Sequence, residues 1–349
     1  MSASGRHLIV VAPGLCGPES DPPVSEYLHD CRPAALDCLL SRSQAHTDSG
    51  LGLDATLARF FGLTVAEDQE LPAAALTWLA DTGQPPDAWL MRADPVHLRA
   101  DQSCLRLFDS HSFTITREEA DALVTAFNAH YRETGWELTA PLPQRWYLSL
   151  PQPPSLLTLS PDRVAGQDID PCLPCGADAA RWHALLNEIQ MLFHTHPVNA
   201  AREQRGAPPI NSIWPWGGGR LPGQLQPRVT RLLADHPLAT GLASHTAISR
   251  DAMPAAVGEL LAGTGDGCTL LVDDRLEWPM HYGDIEAWLE GLQVLEADWF
   301  VPLLAALRGG MLASLEIHPC NGLGFHVTRG DLRRFWKRVR AFETACKAG

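Results

Sequence analysis

The chain has 349 residues, of which 45% are hydrophobic and 19% are charged. A chain of this length and apolar content can bury one large or two modest cores, which excludes a disordered or fibrous protein. Its 27 Lys and Arg stand against 41 Asp and Glu, so the formal net charge is -14 at pH 7. Because such an acidic surface repels phosphate backbones and anionic lipids, we expect no nucleic-acid partner and no membrane partner.

The cysteine content and the N-terminus both indicate the cytoplasm. The nine cysteines are scattered without the spacing of a disulfide framework, in a chain too long to depend on disulfides. The apolar run at residues 8–12 is too short for the core of a signal peptide. No stretch approaches the roughly 18 apolar residues of a membrane span. We therefore expect a cytoplasmic protein with reduced cysteines.

The N-terminal part alternates predicted strands and helices. A buried strand over residues 8–11 comes first, and helices are predicted over residues 33–40, 54–61 and 72–80. A second strand follows at residues 88–91. The joints between these elements are short, as is typical of an α/β domain.

Residues 94–167 differ in character and predict a small inserted α+β subdomain. Strands are predicted over residues 104–108 and 145–150, where large apolar side chains are bounded by turn residues. Between them a helix begins at Thr116, with Glu119 at the spacing of a capping box.

The remaining residues return to the α/β pattern. Helices are predicted over residues 177–194 and 284–307, and strands over residues 269–272 and 311–317. From Asp331 the sequence predicts a basic amphipathic helix that docks its apolar side on the sheet. The apolar residues of that helix are Leu332, Phe335, Trp336 and Val339.

The stretch from residue 186 to residue 219 is dense in polar side chains that a hydrophobic core excludes. Asn199, Arg202 and Asn211 follow the predicted helix, and a glycine run at residues 217–219 ends the stretch. Arginine and backbone N–H groups bind anions well, so these three side chains are candidates for binding a phosphate-bearing small molecule. The alternative is a polar network that holds parts of the fold together through Asn and Arg hydrogen bonds.

The order of motifs in this stretch resembles the return from the inserted domain to the phosphatase-like domain in archaeal-type cofactor-independent phosphoglycerate mutases. The matching residues are His196-Pro197-Val198-Asn199, Arg202, Gly206, Pro209, Asn211 and Trp216-Gly217-Gly218-Gly219. Upstream, residues 91–96 fall where those enzymes begin their insertion. Most of the chain is similar to the RpfE-type regulatory proteins of proteobacteria.

This resemblance implies an α/β fold with an alkaline-phosphatase-like core. Residues 1–93 and 168–349 would form the phosphatase-like domain, and residues 94–167 the inserted α+β subdomain. The superfamily holds two divalent metals with Asp and His and attacks phosphate with a Ser or Thr. The resemblance therefore implies a metal site at strand ends of the larger domain.

Two parts of that site have no counterpart in the sequence. The family places a metal-binding Asp after the first strand, whereas this chain has Ala12. The nucleophile motif also lacks a convincing match, because Ser49 and Gly50 do not have the flanking pattern.

Three metal ligands remain by resemblance. Glu277 and His281 keep the spacing of a family Asp and His, and His318 ends a strand although Ile317 replaces the adjacent carboxylate. Two imidazoles and one carboxylate are a competent set for one Zn or Mn with an open position. The alternative is that these are ordinary polar residues of a relic cleft, with no metal.

We therefore expect a phosphoglycerate-mutase-like pseudoenzyme with a degenerate metal site that serves as a ligand-binding or regulatory module. The alternative is an active metal-dependent phosphoglycerate mutase or phosphohydrolase with rearranged ligands, in which Glu277, His281 and His318 hold a single ion and Arg202 clamps the phosphate. Asp273 and Asp274 are candidates to replace the missing carboxylate. A third interpretation is a protein–protein scaffold that uses exposed tryptophans.

Overall fold

A computed structural model describes residues 5–18, 24–28, 32–66, 69–101, 104–254, 257–262 and 267–347. The chain forms two compact units, the first comprising Met1–Leu63 and Leu225–Gly349 and the second Thr64–Gln224. No helix in the described ranges is long and apolar enough to cross a membrane.

The elements follow one another in chain order. The first segment contains β1 (Arg6–Val11), α1 (Val24–Tyr27), α2 (Ala34–Arg42), β2 (Gln44–Leu51) and α3 (Leu53–Phe60). The second unit contains α4 (Ala73–Thr82), β3 (Leu90–Asp101), β4 (Cys104–Phe108), α5 (Arg117–His130), β5 (Glu137–Leu142), β6 (Arg145–Ser149), α6 (Ala179–His194), α7 (Pro197–Gln204) and β7 (Ser212–Gly219). Short 3-10 turns occupy Arg132–Thr134, Pro161–Arg163 and Asp170–Cys172.

The last segment returns to the first unit. Its strands are β8 (Arg231–Leu233), β9 (Ser249–Asp251), β10 (Gly267–Val272), β11 (Ser314–His318) and β12 (Asn321–Thr328). Its helices are α8 (Pro237–Thr246), α9 (Val257–Ala262), α10 (Glu277–Tyr282), α11 (Ile285–Leu295), α12 (Val301–Gly309), α13 (Arg329–Leu332) and α14 (Phe342–Cys346), with a π-helical turn at Glu296–Phe300 between α11 and α12.

The sheet of the first unit has seven strands in the order β2-β12-β11-β1-β10-β8-β9. β1 lies at the centre, parallel to β10 and β11, whereas β12 and β2 add antiparallel strands on one side. Ile9, Val10 and Val11 are almost completely buried, as expected for a parallel strand covered on both faces. The α/β fold class predicted from the sequence is therefore confirmed.

The sheet of the second unit is built around β3. This long strand pairs antiparallel with β4, β6 and β7, and β5 pairs with β6. Its core includes Phe127 of α5, Trp146 of β6, and Trp182 and Phe193 of α6. The predicted capping box of α5 is present, because Glu119 N donates to the Thr116 hydroxyl and Thr116 N to the Glu119 carboxylate.

The boundaries of the units differ from the predicted domain boundaries. A predicted insertion at residues 94–167 would cut β3 and leave β7 in the phosphatase-like part. In the structure β7 pairs with β3, with Ala93 opposite Pro215. Because these strands share a sheet, the insertion extends over Thr64–Gln224.

The glycine run of β7 is required by packing. A Cβ at Gly218 would lie 2.5 Å from the Trp89 ring, and one at Gly219 would lie 2.5 Å from Pro72 Cβ. Side chains do not approach this closely, so glycine lets the start of α4 and Trp89 lie directly against the strand. The run is thus a strand rather than a phosphate-binding loop.

The basic amphipathic helix predicted from Asp331 does not form. α13 ends at Leu332, and the following residues 333–341 lie on the surface, where Phe335 is 82% and Trp336 is 70% exposed. Short turns, in which Phe335 N donates to Arg333 O and Lys337 N to Arg334 O, take the place of helical hydrogen bonds, and Arg340 N donates to the Ser41 hydroxyl of α2.

A disulfide joins Cys16, after β1, to Cys346 in α14. The expectation that all cysteines are reduced is therefore wrong for this pair. No spacing rule connects two cysteines that lie 330 residues apart, because only the fold brings their Cα atoms to 5.8 Å.

Candidate functional site

The carboxyl ends of β1, β10 and β11 meet at one edge of the first unit's sheet. Ala12 N donates to His318 O at 2.9 Å, and Asp273 N donates to Val11 O at 2.9 Å. Ala12, Asp273 and His318 therefore lie side by side. This is the edge at which open α/β sheets bind their ligands.

His318 is completely buried between two carboxylates. Its Nδ1 lies 3.0 Å from Asp48 Oδ2, and its Nε2 lies 3.3 Å from Glu316 Oε2. Glu316 and His318 share a face of β11 because side chains two apart on a strand point the same way. Both ring nitrogens therefore lie within hydrogen-bonding distance of carboxylates of the protein.

Arg59 from the last turn of α3 completes this cluster. Its Nη2 lies 2.6 Å from Asp48 Oδ2 and 3.4 Å from His318 Nδ1. The hydrogen bond from His318 holds the pKa of the Glu316 carboxyl below its ordinary value, against the effect of burial. The charges of the buried cluster are therefore balanced by groups of the protein itself.

Asp273 is also paired within its own loop. Its Oδ1 and Oδ2 accept hydrogen bonds from Nε and Nη2 of Arg275, both at 2.7 Å. This is the bidentate geometry of a strong Arg–carboxylate pair. Both oxygens of Asp273 are occupied, so the geometry does not favour its recruitment as a metal ligand.

Glu277 and His281 lie four residues apart on α10, which places them on one face of the helix. Their ligand atoms lie within 4.8 Å of each other. Among the described residues, His318 is not part of any cluster of three or more potential metal ligands. The structure thus brings two of the three predicted metal ligands together and leaves His318 apart.

The residues of this edge do not fit a pair of divalent metals. A dinuclear site needs several carboxylates and neutral imidazoles with free lone pairs at converging positions. Ala12 offers no ligand atom, Asp48 and Asp273 are held by arginines, and both nitrogens of His318 face carboxylates.

The predicted ligand-binding residues lie in the second unit, where the fold uses their polar atoms. Asn199 Nδ2 donates to Phe193 O and Ile210 O, both at 2.8 Å, and its Oδ1 accepts from Ile210 N. Asn211 makes a similar pair of bonds to the main chain of Leu98. Both amides therefore act as hydrogen-bonding links between neighbouring segments.

Arg202 is only 1% exposed. Its Nη1 donates to Glu119 Oε2 at 2.8 Å and to Thr114 O at 3.0 Å, and its Nε donates to Pro208 O at 2.7 Å. Arg205 binds the other oxygen of Glu119. These contacts favour the polar-network interpretation over a phosphate site at Arg202.

Sequence patterns did not single out Asp48, Arg59 and Glu316. The alternation Glu316-x-His318 on a predicted strand could have identified Glu316, because both side chains must share a face. Asp48 carries no such pattern, since β2 is largely polar and exposed. Ser49 and Gly50 lie in the same strand, and their side chains are outside the described part of the chain.

Comparisons of sequence give short matches to one kind of enzyme. The chain is 39% identical over 62 residues to the 2,3-bisphosphoglycerate-independent phosphoglycerate mutase of Methanosarcina mazei. It is 37% identical over 67 residues to the probable 2,3-bisphosphoglycerate-independent phosphoglycerate mutase of Geobacter sulfurreducens. These matches cover 18% and 19% of this chain and only 16% and 17% of the relatives. No family model matches the chain.

Similarity to solved structures extends over nearly the whole chain. A protein from Pyrococcus horikoshii has a TM-score of 0.55 at 14% identity, over 99% of this chain and 93% of that protein. The cofactor-independent phosphoglycerate mutase from Thermoplasma acidophilum has a TM-score of 0.44 at 17% identity, over 98% and 94%. The first similarity shows a shared fold, and the short sequence matches support a phosphoglycerate-mutase-like relationship.

Proposed function

We propose that the chain is a phosphoglycerate-mutase-like protein with an alkaline-phosphatase-like core whose metal site is degenerate, and that it acts as a non-catalytic ligand-binding or regulatory module. The observation that carries this proposal is that the polar side chains at the sheet edge are bonded to one another. His318 lies between Asp48 and Glu316, and Arg59 binds Asp48 at 2.6 Å. Arg59 thus binds the carboxylate of Asp48 and Arg275 binds that of Asp273, where divalent metals would need free carboxylates.

A phosphate-bearing small molecule remains the proposed ligand. Support comes from the guanidinium group of Arg228, which lies 5.8 Å from the centre of the ring of Phe60. Arg228 is exposed and makes no ion pair within the described residues. Arginine provides planar, charge-assisted hydrogen bonds that suit phosphate.

The regulatory role rests on the resemblance to RpfE-type proteins, and the cytoplasmic location stays a prediction. The disulfide between Cys16 and Cys346 argues against that location, because the cytosol keeps most thiols reduced.

An assay with both phosphoglycerates tests the loss of catalysis. We expect no interconversion of 2-phosphoglycerate and 3-phosphoglycerate with added Mn, followed by phosphorus NMR. A His281→Ala/His318→Ala variant sets the background. A wild-type turnover in the usual enzyme range of about 1–1,000 per second, lost in that variant, contradicts the proposal and supports the active enzyme with rearranged ligands.

Calorimetry with 3-phosphoglycerate tests the ligand. We expect wild-type binding that weakens about tenfold in Arg228→Ala, because a charge-assisted hydrogen bond is lost. Arg250→Ala, which removes another exposed arginine of the first unit, should bind like the wild type. Equal binding by all three proteins, or none by the wild type, rules out a phosphate site at Arg228.

A further inference from the structure

The second unit contains a cavity of about 140 Å³ that is separate from the polar network of Arg202. It lies among β3, β4, α6, β7 and the 3-10 turn Asp170–Cys172. Most of its wall is apolar, from Leu98, Leu105, Ile169, Leu173, Leu186 and Ile213. The cavity therefore suits an apolar ligand better than it suits water.

The volume limits the size of an occupant. An apolar cavity of about 150 Å³ in another protein holds one benzene molecule, whereas pockets for drug-sized ligands begin near 300 Å³. A cavity of about 140 Å³ therefore fits a body about the size of one six-membered ring.

Polar groups of α6 and β7 lie beside the apolar wall. Asn187 and Gln190, three residues apart on α6, both line the cavity. Neither side-chain amide makes a hydrogen bond within the described ranges of the chain. Ser212 is completely buried, and its hydroxyl has only a 3.3 Å contact with the adjacent Ile213 O. These three side chains supply donors and acceptors for a polar head.

Two other polar groups of the wall are bonded within the protein. His183 is bonded through Nε2 to Pro174 O at 2.8 Å, and Trp214 Nε1 donates to Leu159 O at 2.7 Å. These bonds fix two sides of the cavity in place. The polar side chains left to meet a ligand are those of the exposed Asn187, the half-buried Gln190 and the buried Ser212.

The charge of the wall selects among possible heads. Asp170 is the acidic residue of the lining, it is exposed, and no ion pair to it occurs among the described residues. The lining contains neither Lys nor Arg. A carboxylate or phosphate would meet repulsion from Asp170 without a compensating cation, whereas an amide or an amine would not.

We infer that this cavity binds a small amphiphilic molecule with one ring-sized apolar body and an uncharged or cationic hydrogen-bonding head. The body lies against the leucine and isoleucine wall, and the head lies between the amides of α6 and Asp170. This site does not depend on the proposed phosphate ligand, because it lies wholly in the second unit and excludes anions.

Three isosteric probes test the inference on the full-length protein. Benzamide, benzamidine and benzoate share one ring and differ in the charge of the head, and their affinities can be measured by protein-observed NMR. We expect benzamide and benzamidine to compete for one site and benzoate to bind about tenfold more weakly, because of its repulsion from Asp170. Equal binding of benzoate, or no binding of any probe, overturns the inference.

Variants locate the site. Gln190→Leu should weaken benzamide about tenfold, and Asp170→Asn should abolish the difference between benzamide and benzoate. Gln204→Leu, a matched change on α7 outside the lining, should leave all affinities unchanged.

Leu173→Trp should block all probes by filling the cavity. Thermal unfolding of each variant confirms that it is folded, and unchanged binding in both Gln190→Leu and Leu173→Trp contradicts this location.

Discussion

Arg202 shows how burial separates a structural role from a ligand-binding role. Its removal takes one of two arginines from the buried Glu119 carboxylate and leaves the carbonyls of Thr114 and Pro208 without this donor, a change that costs up to about 3–5 kcal/mol. We therefore expect Arg202→Ala to lower the free energy of unfolding by about that amount in urea denaturation. Arg205 binds the same carboxylate from a side chain that is 51% exposed, so Arg205→Ala should cost only about 0–1 kcal/mol. A stable Arg202→Ala protein that has lost phosphate binding would restore the ligand-binding hypothesis.

Glu119 gives this network a pH dependence. Burial raises the pKa of the Glu119 carboxyl, but hydrogen bonds from Thr116 N and Arg205 and the charge of Arg202 outweigh it and hold the pKa below its ordinary 4.5. A carboxyl with a depressed pKa contributes stability above its unfolded pKa and loses it as the pH falls through the folded value.

The free energy of unfolding should therefore fall more steeply below pH 4.5 in the wild type than in Glu119→Gln. Glu133→Gln, an exposed control in the same unit, should keep the wild-type slope. The measurement is urea denaturation at a series of acidic pH values. Parallel slopes for the wild type and Glu119→Gln contradict the assignment.

At the scale of elements, the surface segment 333–341 differs most from its sequence pattern. Leu332, Phe335, Trp336 and Val339 occur at helical spacing, yet the two aromatic side chains are exposed because the backbone after Leu332 forms short turns rather than a helix. Phe335→Ala and Trp336→Ala should each change the free energy of unfolding by less than about 0.5 kcal/mol. Phe342→Ala, in a side chain only 1% exposed, should cost about 3–5 kcal/mol. A large cost for Trp336→Ala would mean that the segment docks as a helix.

Elements with local signals were predictable, and those that depend on distant partners were not. α5 carries its own capping box at Thr116 and Glu119, so its start follows from nearby residues alone. β2 and β7 lack alternating apolar residues, and their strand structure comes from pairing with β12 and β3. The site shows the same dependence on distant partners. His318 was identifiable from the sequence, whereas Asp48 lies beside it only because β2 joins the sheet through β12.

At the scale of the whole molecule, the α/β class follows from the sequence, whereas the bounds of the two units depend on the pairing of β7 with β3. The disulfide between Cys16 and Cys346 also depends on the complete fold of that unit, since it joins residues 330 apart.

We expect Cys16→Ser to lower the free energy of unfolding by about 2–5 kcal/mol, because the cross-link restricts the unfolded chain. Cys38→Ser, at a free cysteine of the same unit, is the control. Mass spectrometry after alkylation without reductant should show Cys16 and Cys346 unmodified. Full alkylation of both would show that the pair is reduced in the purified protein.

The metal content of the purified protein distinguishes a degenerate sheet edge from a working dinuclear site. We propose that the carboxylates of the sheet edge are bonded to Arg59, Arg275 and His318 and that this edge does not hold a pair of divalent metals. Elemental analysis of protein purified without chelator and dialysed against metal-free buffer should give less than one tightly bound Zn, Mn or Mg per chain. Two tightly bound ions per chain, lost in His281→Ala and in His318→Ala, would contradict the claim and identify a working dinuclear site.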